Sequence, residues 1–362
     1  MKKACFVLFV LLFVLSALPA ARAQSKAPNW PAPKEGDYTL WNFRFEDGES
    51  LPEVRMHYRT LGTPHKNAAG IVDNAVLVLH GTTGSGAGFL VDHFAGMLFV
   101  PGGLLDASKY YIILPDDIGH GHSTKPSDGL HARFPHYDYH DMVRAENQLV
   151  TEGLGVNHLR LVMGTSMGAM HTWMWGEMYP EFVQALMPLA CLPVQISGRN
   201  RMMRDMIMHS IRDDPDWKNG EYTTQPRGLD GAIYIMMVLV SSPSQWQKEA
   251  PTQQAADAMF DRMLKRYREI EDANDMLYAF DASRDYNPEP ELEKITAPLI
   301  AVNSADDQVN PPELDIVPKL IGRVKRGKFV LIPISDQTRG HGTHSYPAVW
   351  GNYLKELLQE SK

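Results

Sequence analysis

Basic residues are in deficit. Lysine and arginine number 35 against 43 aspartates and glutamates, a formal net charge of −8. A chain without a basic excess cannot neutralise a run of phosphates, which excludes a nucleic-acid partner. Cysteine is almost missing, with Cys5 and Cys191 the whole complement, so a disulfide framework is excluded as well. Cys191 lies within the apolar run "ALMPLACLP" and reads as a small buried hydrophobe. Internal repeats and low-complexity tracts are lacking too. The one long apolar run is at the N-terminus, in "MKKACFVLFVLLFVLSALPAARAQ". Lys2 and Lys3 precede an apolar stretch from Ala4 to Ala20, and Ala21-Arg22-Ala23 has the small-x-small form of a cleavage site. The run is short for a membrane span and is broken by Pro19. Residues 1–23 are therefore expected to be a signal peptide, with an uncleaved anchor as the alternative. Cys5 stands at the start of the apolar stretch rather than after it, which is not where a lipoprotein cysteine stands. Cleavage would remove Cys5 and three basic residues, leaving an acidic chain, residues 24–362, in the periplasm or outside the cell without stable membrane insertion.

What remains is ordinary globular material, 44% hydrophobic and 22% charged. Six short apolar runs recur: "AVLVLH" from Ala75, "YYIILPD" from Tyr110, "LRLVMG" from Leu159, "QALMPLA" from Gln184, "PLIAVN" from Pro298 and "KFVLIPI" from Lys328. Each is too short for a helix and lacks alternation, the pattern of strands buried on both faces of a parallel sheet. Helical periodicity lies between several of them, as in Tyr139 to Glu152 and Met167 to Tyr179. The fold class is thus α/β, a mostly parallel sheet with helices on both faces. Residues of about 197–288 break the rhythm with amphipathic helical stretches and no convincing strand, and read as a helical cap inserted between two strands. Nine of the nineteen methionines fall there. They are either plain core residues or the lining of an adaptable acyl pocket.

The run "VMGTSMGAM" from Val162 places Ser166 between Gly164 and Gly168, after a strand pattern and before a helix pattern. That is the context of a nucleophile elbow, in which neighbours of a strained serine must pass without Cβ atoms. The helix behind it aims free N–H groups at any developing oxyanion. Met167, Met170, Met174 and Met178 recur at helical spacing and read as core. A serine nucleophile needs a base and an acid that orients it. "SADDQVNPP" offers Asp306 and Asp307, and "SDQTRGHGTHSYP" offers His341 and His344. "PDDIGHGHS" holds Asp116, Asp117, His120 and His122, which could be metal ligands, but the same residues also read as a Gly-x-Gly-x-Ser loop. No metal is expected.

Together "RTLGT" at Arg59, "NAVLVLHGTTG" at Asn74, "FPHYDYHDMVRAE" at Phe134, "GTSMGAM" at Gly164, "IRDDPDWKNGEY" at Ile211, "DANDMLY" at Asp272 and "DDQVNPPE" at Asp306 carry a resemblance. The chain resembles the α/β-hydrolase superfamily and, within it, the homoserine O-acetyltransferase family. "DPDW" and "DANDMLY" belong to the cap and make the likeness specific. It implies an α/β-hydrolase fold with a Ser-Asp-His triad of Ser166, Asp307 and His341. Asp307 is chosen by the proline pair that follows it after three residues, and His341 by its place after Gly340. Asp306 becomes a loop or capping residue, and His344 a packing residue or the alternative base. The N–H groups of Met167 and Thr82 make the oxyanion hole. The likeness stops at the acceptor. Where the family has an Asp after the catalytic His, this chain has Gly342, and aligning on Gly228-Leu229 puts Ile233 at the family's carboxylate-binding Arg. Expected, then, is a secreted serine esterase acting on a small-molecule ester through an acyl-enzyme, without cofactor. An acyltransferase with another acceptor and a non-catalytic binding protein are the rivals, and a homodimer stays open.

Overall fold

The computed structural model describes residues 28–362. The expected signal peptide lies outside the described residues. One sheet of eight strands forms the centre, in the order β1-β2-β4-β3-β5-β6-β7-β8. The strands are β1 (Lys34–Arg44), β2 (Ser50–Leu61), β3 (Ala75–Leu79), β4 (Tyr111–Pro115), β5 (Leu161–Thr165), β6 (Leu186–Leu189), β7 (Leu299–Ser304) and β8 (Gly327–Ile332). From β4 to β8 all neighbours are parallel. These six are the apolar runs, and β3 to β7 are buried at every position. β1 and β2 were not foreseen. They pair antiparallel with each other and β2 pairs antiparallel with β4. Both are charged, half-exposed strands at the sheet edge, so they lack the continuous apolar run that marks a strand buried on both faces.

Helices cover both faces. α1 (Ala95–Leu98) packs with the C-terminal helix on one face, against Val78, Leu114, Met163 and Val302. α2 (Tyr139–Gln148) and α3 (Met167–Met178) cover the other, against Leu77, Ile113 and Val162. α2 starts where it does because Asp138 and Asp141 each accept the other's backbone N–H, at 3.0 and 3.1 Å. Met167, Met170 and Met174 of α3 are all buried in the core.

Five helices stand between β6 and β7: α4 (Gly198–Arg212), α5 (Arg227–Leu239), α6 (Pro243–Glu249), α7 (Gln253–Ile270) and α8 (Ala273–Asp281). The two cap motifs hold each other. Trp217 of "DPDW" donates its indole N–H to Asn274 Oδ1 of "DANDMLY" at 2.8 Å, and Asn274 Nδ2 donates to Gly220 O at 3.0 Å. Asp272 caps α8 by accepting from the N–H groups of Asn274 and Asp275. α9 (Ile316–Leu320) and α10 (Pro347–Glu360) complete the chain, α10 lying beside α1. Among the described residues no helix is long and apolar enough to cross a membrane.

The sequence "RTLGT" has a structural job. Arg59 of β2 is buried and its Nη1 lies 2.9 Å from Asp116 Oδ1, just beyond β4, where Asp116 is fully buried. Asp116 also accepts from the N–H groups of Gly86 (2.8 Å) and His122 (2.9 Å). One carboxylate thereby ties the edge hairpin to two loops at the C-terminal ends of the strands. Asp116→Ala should cost about 3–5 kcal/mol, because Arg59 stays buried facing only the exposed Glu35. Urea unfolding of the variant beside the parent measures this, and a midpoint within error of the parent would show the pair to be dispensable.

Candidate active site

β3 stands between β4 and β5, so the chain passes from β3 to β4 on one side and returns to β5 on the other. The crevice outside the strand ends at such a reversal is where open α/β sheets bind ligands. β5 ends at Thr165 and α3 begins at Met167, which leaves Ser166 alone in the corner at φ 54°, ψ −111°. A positive φ is costly for a residue with a Cβ. The corner is held by Ser166 N–H donating to Leu189 O (2.9 Å) and Met170 N–H donating to Ser166 O (3.0 Å). The two glycines are needed for close approach. A Cβ on Gly164 would lie 2.1 Å from Gly168 O, and one on Gly168 2.2 Å from Leu79 O.

Ser166 Oγ is 2.9 Å from His341 Nε2, and His341 Nδ1 is 2.9 Å from Asp307 Oδ2. Asp307 comes from the loop after β7 and His341 from the loop after β8. Asp307 is fully enclosed, and burial alone would raise its carboxyl. The facing His341, with hydrogen bonds from His341, Asn310 and the Val309 N–H, outweighs burial and holds it below the ordinary carboxylate range. Asp307 is thus a fixed anion, the state that keeps a proton on His341 Nδ1 and leaves Nε2 free to accept from the serine. Asp306 does something else: it accepts from Ser304 Oγ and, at 2.9 Å, from the Gly340 N–H, so it fastens the loop that carries His341. His344 packs edge-on to His341 with ring centroids 5.2 Å apart and hydrogen-bonds Ser345 Oγ, not Ser166. Burial pushes its pKa down to about 3, so it stays neutral.

The loop after β3, His80-Gly81-Thr82-Thr83-Gly84, closes over the serine. A Cβ on Gly81 would be 3.4 Å from the Ser166 Cβ. Among the described residues neither the Thr82 nor the Met167 N–H makes a hydrogen bond, which leaves both donors free beside the corner. Ser166, Thr82 and His341 line a cavity of about 340 Å³ that the cap closes with Arg204 of α4, Met236 and Leu239 of α5, Tyr267 of α7 and Phe280 of α8. Met236 is the only one of the nine cap methionines that lines it. Met208, Met237 and Met276 are core, and Met202 and Met206 are exposed. Gly342 lines the cavity without a side chain, whereas Ile233 is buried in the core.

The suspected ligands of "PDDIGHGHS" disperse. Asp116 serves Arg59, and His120 is fully enclosed with its pKa lowered to about 3 by burial. Asp117 meets two residues that were not singled out, Glu146 of α2 and His171 of α3, all three fully buried with potential ligand atoms within 4.8 Å of one another. Glu146 Oε1 is 2.7 Å from His171 Nδ1 and Oε2 accepts from the Trp175 indole at 2.5 Å, yet neither oxygen of Asp117 has a partner. Burial and the neighbouring Glu146 raise Asp117 well above its ordinary value, and burial raises Glu146 to about 7. A proton held by Asp117 turns its orphaned oxygen into a donor toward Glu146, which satisfies the group without an ion.

A family model described as the alpha/beta hydrolase fold matches residues 74–329. A protein of Methanothermobacter thermautotrophicus, named a probable acyltransferase, is 29% identical over 305 residues, covering 84% of this chain and 91% of that protein. A homoserine O-acetyltransferase of Pelobacter propionicus is 31% identical over 311 residues, covering 74% of this chain and 81% of its own. Among solved structures, esterase E22 has the same fold with a TM-score of 0.75 at 19% identity, over 91% of this chain and all of that one.

The buried acid pair generates a pH dependence. Glu146 binds its proton more tightly folded (about 7) than unfolded (4.5), so its stabilising effect is complete below about 4.5 and is lost as pH rises through 7. Glu146→Gln removes that window while His171 changes tautomer to keep the hydrogen bonds. From pH 5 to pH 8 the stability of the variant relative to the parent should therefore rise by roughly 1–3 kcal/mol. Denaturant melts at the two pH values decide this; a difference independent of pH would refute it.

Proposed function

Since the chain belongs to the alpha/beta hydrolase fold family, and within it to the homoserine O-acetyltransferase-like branch, we propose that it hydrolyses a small ester through an acyl-enzyme on Ser166. The observation that carries this proposal is the hydrogen-bond chain from Ser166 through His341 to Asp307, which opens on the capped cavity. Ser166 Oγ attacks the ester carbonyl carbon while His341 Nε2 takes its proton. The carbonyl oxygen becomes an oxyanion that accepts from the Met167 and Thr82 N–H groups. Collapse breaks the bond to the alcohol oxygen, and His341 returns the proton to the departing alcohol. A water then repeats the sequence on the acyl-enzyme, its proton passing through His341, and frees the acid and Ser166. Asp307 stays ionised throughout.

Transfer to an acceptor alcohol differs only in the second nucleophile, and the acyltransferase names among the relatives favour it as the second reading. Two features speak for water over homoserine. Gly342 offers no carboxylate to an ammonium group, and among the described residues no Asp or Glu lines the cavity. Burying an unpaired ammonium costs several kcal/mol. Export by residues 1–23 belongs to the same proposal, since it would separate the protein from cytoplasmic acetyl-CoA.

Ser166→Ala should abolish both ester turnover and labelling by a fluorophosphonate probe while leaving the circular dichroism spectrum unchanged; a variant that still labels would move the nucleophile elsewhere. His341→Ala should lower kcat by about 10⁴-fold or more, and His344→Ala should act mainly on stability or KM. The reverse order would make His344 the base. With acetyl-CoA and homoserine at millimolar concentration, mass spectrometry should find no O-acetylhomoserine while p-nitrophenyl acetate is hydrolysed. Robust acetylhomoserine would restore the transferase.

A further inference from the structure

Three arginines are buried among the described residues, and two of them have evident counter-charges. Arg59 faces Asp116. Arg160 donates to the Leu358 carbonyl and Ser361 Oγ, at the C-terminal and hence negative end of α10. Arg204 has neither. It is 3% exposed, its Nε donates to Asn200 Oδ1 and its Nη1 to Ser283 Oγ, each at 3.0 Å, and its guanidinium lies 5.4 Å from the centre of the Phe280 ring. No carboxylate among the described residues comes within ion-pair distance. A guanidinium carries five N–H groups, and Nη2 donates to nothing described.

This unpaired cation lines the cavity of Ser166 and His341, where among the described residues it is the only Lys or Arg, with no Asp or Glu to balance it. A second observation lies beside it. The Tyr139 hydroxyl is buried without a partner, and so is Thr82 Oγ1, which lines the same cavity. Tyr139 is close to both Arg204 and Thr82: burial raises its phenol, and the Arg204 charge with Thr82 and Ser283 opposes that rise. The cavity thus takes one fixed positive charge and the Thr82 hydroxyl into its wall, with the Tyr139 hydroxyl buried beside them.

We propose that Arg204 receives a carboxylate borne by the ester substrate, so that the enzyme takes monoanionic esters in preference to their neutral counterparts. The proposal rests on the acyl-enzyme reading of Ser166. One guanidinium flanked by neutral hydroxyls balances one negative charge, which suits a carboxylate better than a phosphate dianion. The same arrangement disfavours zwitterions, since an ammonium finds no acid here. Arg204 is on α4, whereas the position implied for the family's carboxylate-binding arginine, Ile233, is on α5 and buried in the core.

The test compares kcat/KM for paired esters on the full-length protein: p-nitrophenyl hemisuccinate against p-nitrophenyl acetate for a charge on the acyl half, and O-acetyl-lactate against its methyl ester for a charge on the alcohol half. In at least one pair the anionic ester should win by about 10- to 100-fold, and Arg204→Met should bring that ratio down to about one, with Arg204→Lys between. A parent ratio of one or less in both pairs overturns the proposal without needing any variant, and so does a ratio that survives Arg204→Met. Calorimetry of monomethyl succinate binding to Ser166→Ala separates this from the catalytic reading. Binding that is lost in the Ser166→Ala/Arg204→Met double variant supports the Arg204 site even if no ester is turned over. No binding to Ser166→Ala counts against it even if neutral esters are hydrolysed.

Discussion

Everything at the site depends on one backbone angle, the positive φ of Ser166. A residue with a side chain does not adopt it freely, and here α3 is pressed so hard onto β3 and β5 that Gly164 and Gly168 have no room for a Cβ. That packing belongs to the core: α3 buries Trp173, Trp175 and three methionines against the sheet. The strain is therefore sustained by burial of a whole helix together with the two backbone hydrogen bonds that hold the corner. Its return is positional. Ser166 stands clear of strand and helix, with the helix N-terminus behind it and the Gly81 loop in front, where a Cβ would come within 3.4 Å of the Ser166 Cβ, and two other strand ends bring Asp307 and His341 to meet it.

What the sequence discloses follows from which interactions are local. β3 to β7 were legible because a strand buried on both faces must be apolar at consecutive positions; β8 showed the same apolar run, although as the edge strand it is only half-buried. The turn at Ser166 was legible because its strain restricts the residues on either side. β1 and β2 were not, since their charged, half-exposed residues form no continuous apolar run and their place is set by long-range contacts, the antiparallel pairing of β2 with β4 and the Arg59–Asp116 pair, 57 residues apart, among them. Asp306 and Asp307 cannot be told apart by composition. They part only when β7 ends and one carboxylate turns to His341, the other to the Gly340 N–H.

Arg204, Glu146 and His171 were illegible for a different reason. Each is a polar residue in an otherwise ordinary helical pattern, and what sets it apart is the presence or absence of a partner far away in the chain. "GRNRMMRDMIMHSIR" contains four arginines. Arg201 pairs with Asp205, Arg212 lies near Asp281, and Arg199 reaches the Gln308 carbonyl. Only the packing of α4 on α8 reveals that the fourth has been carried inside without an acid.

The molecule solves two burial problems in opposite ways. Beneath the sheet ends Asp117, Glu146 and His171 bring two acids and an imidazole together, and protonation removes the excess charge, because a carboxyl can take up a proton near neutral pH. Above Ser166 the buried group is a guanidinium, which cannot shed its proton in a protein. A charge that cannot be neutralised by titration must be balanced by a partner, by a helix end, or by whatever enters the cavity. The first two serve Arg59 and Arg160. For Arg204 the fold provides neither, and the counter-ion is left to come from the substrate.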